Sequence, residues 1–203
     1  PDRSPAVSPD GKTIAYLGFD DKREAYQNTL LYLMQTDGTN KRLLSASLDA
    51  SISDIHWDSK GAHLYFAYDH HGNGKIGKID LSGTVQKLAD HRGGTTLGRP
   101  YGSGMYSVSK QGKIAYTFTR PNHPADIAVL DDNGKNWKRL TALNQSLFAH
   151  KKTGRVEEIW YNSSVDGRKL QGWIVYPPKY DPDQKYPFMV ENHGGPISNY
   201  GDR

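Results

Sequence analysis

The chain has 203 residues, a formal net charge of +4 and no cysteine. That length can bury a core in one or two domains, and the missing thiols exclude disulfides and thiolate metal sites. Apolar runs are short, which argues against a membrane span, and the basic residues are scattered among Asp and Glu with no stripe that would track nucleic acid.

Taken in chain order, the first 150 residues repeat. "SPDGKTIAYLGFD" from Ser8, "DSKGAHLYFAYD" from Asp58 and "SKQGKIAYTFT" from Ser109 each read as a glycine turn followed by a strand with an aromatic residue. Their glycines, Gly11, Gly61 and Gly112, stand about 50 residues apart. A second series, Gly38, Gly83 and Gly134, follows in "LYLMQTDGTNKRLLS", "IGKIDLSGTVQKLAD" and "IAVLDDNGKNWKRLT". Each of these is a strand, an Asp-rich turn and a second strand. The first repeat carries an insertion in the charged stretch Asp20–Asn28. Another insertion, His91 to Gly102, separates the second and third repeats. Insertions in loops leave the strands intact.

The second repeat predicts strands over Ile52–Trp57, His63–Asp69, Lys75–Asp80 and Thr84–Ala89. Four short antiparallel strands per unit of about 40–50 residues is the signature of a β-propeller blade. The expected fold class is all-β, with three blades over about 4–49, 50–99 and 100–145, and residues 1–150 forming a partial propeller. The blades are expected to be separate sheets packed face to face.

After His150 the pattern changes. Val156–Ser163 and Leu170–Tyr176 read as a hairpin turning at Asp166-Gly167. A proline-bounded loop follows, then Phe188–Asn192 as a third, buried strand. That strand runs into His193-Gly194-Gly195-Pro196.

Blade repeats, then "SSVDGRKLQGWIVYPP", then "KYPFMVENHGGP", together resemble the prolyl oligopeptidase family of serine peptidases, nearest its acylaminoacyl- and dipeptidyl-peptidase-like branch. The resemblance implies that residues 151–203 are the N-terminal edge of an α/β-hydrolase domain, here truncated. It implies a Ser-His-Asp peptidase acting on short peptides, with the propeller gating access. It implies no cofactor and no metal, and the remainder of the hydrolase domain as partner; an oligomer is compatible with it. In that plan one oxyanion N–H lies in a glycine loop after an early strand. Gly195 is the expected donor and Gly194 the alternative, while His193 and Pro196 orient the loop. The family's G-x-S-x-G nucleophile motif is absent from these residues, so the chain alone is expected to be inactive. The alternative is a non-catalytic propeller binding module or a degenerate relative.

Other candidates are weaker. Ser103, in "YGSGMYS", sits between glycines one step too close to form a nucleophile elbow. His63, Asp69, His70 and His71 suggest a metal site, but adjacent histidines at a strand end are expected to point apart. Arg23 and Glu24 read as solvated charge. Asn144-Gln145-Ser146 and Asn162-Ser163-Ser164 match glycosylation sequons. The chain is expected to be soluble, and the sequence leaves a cytoplasmic or periplasmic compartment open.

Overall fold

The structure, a computed structural model, describes residues 2–96, 103–192, 194 and 200–201. Turn chemistry shapes the first two thirds. All six series glycines have positive φ, between +70° and +94°, where a side chain is disfavoured. In the first series, Gly11, Gly61 and Gly112 donate their N–H to Ser8, Asp58 and Ser109, three residues back. In the second, Gly38, Gly83 and Gly134 donate to Gln35, Asp80 and Asp131. Carboxylates fasten the turns from within. Asp80 accepts from the Ser82 and Thr84 amides and from the Ser82 hydroxyl. The Ser82 hydroxyl, followed by the Thr84 amide, holds the Asp80 pKa down at about 2, well below the ordinary value.

These turns join β1 (Arg3–Val7), β2 (Thr13–Gly18), β3 (Leu30–Gln35) and β4 (Arg42–Leu43) into one antiparallel meander. β5 (Ile52–Trp57), β6 (His63–His70), β7 (Asn73–Asp80) and β8 (Val85–Arg92) form the second. β9 (Tyr106–Val108), β10 (Ile114–Arg120), β11 (His123–Leu130) and β12 (Lys138–Arg139) form the third. The first strands of repeats one and two bulge at matching places, at Ser4 (φ +52°) and Asp54 (φ +51°). A short helix, α1 (Gln145–Ala149), precedes a hairpin of β13 (Val156–Asn162) and β14 (Lys169–Val175).

One expectation is corrected. The second and third repeats are not separate sheets, because Arg92 at the end of β8 pairs with Phe118 of β10. β9 covers only Ile114–Tyr116 of β10. Beyond it the free edge of β10 takes Arg92, and the Gly93 N–H then donates to the Thr117 carbonyl at 3.0 Å. β8 (Val85–Arg92) therefore ends three residues later than the sequence predicts.

Two cores lie between the meanders. The first contains Leu17, Leu31, Leu33, Ile52, Leu64 and Phe66; the second contains Tyr65, Ala67, Ile76, Ile114, Tyr116 and Leu130. Side chains of β6 alternate between them, Leu64, Phe66 and Tyr68 on one face and Tyr65 and Ala67 on the other. This dual burial explains why Leu64–Tyr68 is an unbroken apolar and aromatic run.

The second-series turns also seat each repeat on its predecessor. A Cβ at Gly83 would lie 2.9 Å from the Leu44 carbonyl oxygen of repeat one, whereas a Cβ at Gly38 has no heavy atom within 4 Å. Both glycines are left-handed, at +94° and +85°. Alanine at Gly38 is expected to destabilise the chain by about 1–2 kcal/mol from backbone strain alone. Alanine at Gly83 should cost distinctly more, because a backbone carbonyl must also move. Urea unfolding of both variants checks this, and equal losses would show that the turn does not bear on the neighbouring repeat.

Candidate functional site

The hairpin is built from seven continuous pairs, Val156↔Val175 through Asn162↔Lys169. Its reversal is wider than a two-residue turn. Ser163 N–H donates to the Arg168 carbonyl at 2.8 Å, and Gly167 (φ +71°) donates back to Ser163 at 3.0 Å. The loop after β14 is pinned by aromatic rings. The Arg155 guanidinium lies 4.1 Å from the Tyr176 ring centroid, and Tyr176, Tyr180 and Tyr186 follow ring on ring. The Tyr176 hydroxyl donates to Glu157 at 2.9 Å, which pushes its pKa up.

The expected third strand is corrected. Phe188–Asn192 has no regular strand structure, and Phe188 and Met189 are 81% and 95% exposed. A strand is stabilised by its cross-strand neighbours. β13 and β14 pair only with each other, so among the described residues no strand edge takes this apolar run.

Of the glycine turn, Gly194 is described, and a Cβ there would have no heavy atom of the described residues within 4 Å. His193, Gly195 and Pro196 lie outside the described residues. Beyond them, the Tyr200 carbonyl oxygen approaches Gly72 of repeat two so closely that a Cβ on Gly72 would sit 3.0 Å from it.

That contact belongs to a junction the sequence does not announce. The Trp173 ring of β14 covers Gly72, the Trp160 ring of β13 meets His71 edge-on at 5.0 Å, and Gln171 donates to the His71 carbonyl at 3.0 Å. His70 and His71 do not point apart as expected. Their rings stack at 3.8 Å, because His71 has turned into the left-handed region at φ +52°. Burial, and then the neighbouring His71, lower the basicity of His70.

The remaining candidates disperse. The Ser103 hydroxyl accepts from the Thr95 N–H and meets the Thr96 hydroxyl, both at 3.4 Å; among the described residues neither partner is a general base. Arg23 takes φ +57° in an exposed loop, its amide held by Asp21. Asn162 is exposed at the end of β13, and Asn144 caps α1 without a side-chain bond. Among the described residues no helix is long and apolar enough to cross a membrane.

Sequence reasoning missed Arg92, placing it inside the insertion. It is 7% exposed and donates to the Ser103 and Gly104 carbonyls at 2.9 and 2.6 Å and to Asp69 at 3.4 Å, closing the insertion at its base.

No protein-family model matches the chain. It is 28% identical over 208 residues to dipeptidyl-peptidase 5 of Trichophyton schoenleinii, covering 98% of this chain and 27% of the relative. The match to dipeptidyl-peptidase 5 of Arthroderma otae has the same identity and coverage, over 207 residues. The chain thus spans about a quarter of the length of the curated relatives it matches. Among solved structures it superposes on a Pyrococcus horikoshii acylaminoacyl peptidase with a TM-score of 0.70 at 22% identity, over 95% of this chain and 27% of that one. It superposes on Porphyromonas gingivalis dipeptidyl peptidase 4 with a TM-score of 0.61 at 17% identity, over 90% and 24%. These findings bear out the all-β blade fold and the resemblance to prolyl oligopeptidase-family peptidases.

Proposed function

We propose that this chain is the propeller-to-hydrolase segment of a serine peptidase that cleaves short peptides. Residues 1–150 are its partial propeller, which restricts access by size, and 151–203 are the leading edge of its α/β-hydrolase domain. The observation that carries this reading is the order of parts. Three blade repeats lead into a hairpin docked on the second blade, and that hairpin leads into His193-Gly194-Gly195-Pro196.

Acyl transfer from a peptide builds negative charge on the carbonyl oxygen, and preorganised N–H donors stabilise it. Backbone must approach substrate closely there, which suits glycine. Gly195 N–H is the donor in this reading and Gly194 the alternative; Pro196, which has no N–H, fixes the turn, and His193 orients it. The serine nucleophile, its histidine and its carboxylate are supplied by sequence outside these residues. The chemistry requires no cofactor.

The full-length protein should react with a serine-directed fluorophosphonate and release chromophore from dipeptidyl or acylaminoacyl substrates. Residues 1–203 alone should show no saturable turnover, since donors without a nucleophile leave only a small residual effect. A full-length protein with neither label nor turnover would overturn this reading in favour of a binding module. Phosphonate-sensitive turnover by the isolated chain would place the nucleophile within it, with Ser103 the first serine to replace.

A further inference from the structure

A cleft of about 210 Å³ lies between the second and third repeats. Among the described residues, Leu88 and Ala89 of β8, Tyr116, Phe118 and Arg120 of β10, and Trp137 just before β12 line it. Rings dominate its wall. Phe118 is met edge-on by His91 and Tyr116, each at 6.2 Å, and by Trp137 at 5.1 Å. The Trp137 indole N–H donates to the Tyr116 hydroxyl at 2.9 Å, which holds the indole in place although it is 47% exposed. Alternate residues of a strand share a face, so Tyr116, Phe118 and Arg120 follow one another along one side of β10.

Charge decides what such a wall can hold. Asp90 also lines the cleft, but its carboxylate is met by Lys87 at 2.6 Å and by Lys75. The Arg120 guanidinium lies over the Phe118 ring, 5.4 Å from its centroid, and among the described residues it makes no hydrogen bond or ion pair. A stacked guanidinium spends its face on the ring and keeps its N–H donors in plane, where their spacing matches a carboxylate. The charge left to answer at this rim is therefore positive. Size narrows the choice further. A cavity of about 150 Å³ holds benzene, so this one has room for a single ring and a short acidic arm. Such a ring finds offset or edge-to-face partners in Phe118 and Trp137.

We propose that this cleft is a binding site for a small aromatic carboxylate, its ring seated against Phe118 and Trp137 and its carboxylate taken by Arg120. The ligand chemistry has two sources, a free aromatic acid or the C-terminal residue of a peptide. The site does not depend on the peptidase reading above.

The test is calorimetric titration of the full-length protein, first treated with a serine-directed fluorophosphonate to block any active-site serine. The probes are 3-phenylpropionate, its amide and acetyl-glycyl-phenylalanine. The parent should bind 3-phenylpropionate saturably, with a Kd of about 1 mM or tighter, and the amide about tenfold or more weaker. Arg120→Gln should weaken binding of the acid about tenfold or more and leave the amide within about twofold. Trp137→Ala should weaken both. Tighter binding of the peptide than of 3-phenylpropionate assigns the site to peptide C-termini, and equal binding assigns it to free acids. No saturable binding by the parent would overturn the site. Equal affinity for acid and amide would overturn the role of Arg120, and parental affinity for the acid in Arg120→Gln would place the probe elsewhere. The Arg120 guanidinium holds nothing together by hydrogen bonds among the described residues, so that variant should melt with the parent and decides the matter even if Trp137→Ala is unstable.

Discussion

Valine at Gly195 is expected to lower turnover of the intact protein by about 100-fold or more while leaving its thermal midpoint in place. A backbone donor cannot be deleted by changing a side chain, so the probe is steric. On the oxyanion role proposed above, a branched Cβ would stand where substrate and backbone meet and displace the carbonyl oxygen from the N–H. Loss of one oxyanion donor is worth about 2.7–4 kcal/mol of transition-state stabilisation, which sets the size of the effect. The blades form their own cores between repeats, so they should stay folded. Gly194→Ala is the comparison. A Cβ there meets no heavy atom of the described residues within 4 Å, so it is the milder steric probe of the two. Steady-state kinetics beside a thermal melt check both. Turnover near the parent level in the Gly195 variant would remove that residue from the site, and a larger effect at Gly194 would transfer the donor role to it.

Methionine at Arg92 is expected to destabilise the chain by about 3–5 kcal/mol, the range seen when one member of a buried charged network is removed. The Arg92 guanidinium spans two carbonyls, Ser103 and Gly104, and reaches Asp69. Methionine replaces the aliphatic stem and none of these bonds. Arg92→Lys keeps the charge but has one nitrogen where the guanidinium uses three, Nη1 toward Ser103 and Gly104, Nε toward the Lys75 carbonyl and Nη2 toward Asp69, so it should fall between. Urea unfolding measures all three proteins. A loss under about 1 kcal/mol for the methionine variant would mean that the base of the insertion is closed by something else.

The repeats were legible because turn chemistry is local. An Asp or Ser three residues before a glycine fixes both the turn and the register of the strands it joins, so β5 matches its predicted range at both ends. Arg92 was hidden because its partners lie across an insertion, and an arginine in a glycine-rich stretch looks like solvated charge until its acceptors are located. The apolar run at 188–192 misled for a related reason, since strand formation depends on a neighbour that alternation along one chain does not reveal. Of the candidate site, the glycine turn is visible as a motif in the sequence, and the oxyanion role given to it is a proposal that rests on that motif. The junction with His71 could not, because Gln171 and His71 are 100 residues apart and nothing near either announces the other.

The alternation of β6 between two cores has a thermodynamic corollary. In stacked repeats, stability is approximately a sum of terms for each unit and for each boundary between adjacent units. β6 contributes to both boundaries described here, so opening the middle repeat forfeits both of these boundary terms at once. A substitution in β6 therefore weakens the coupling to both neighbours together, and its cost exceeds that of an equal loss of area at a strand that faces one core.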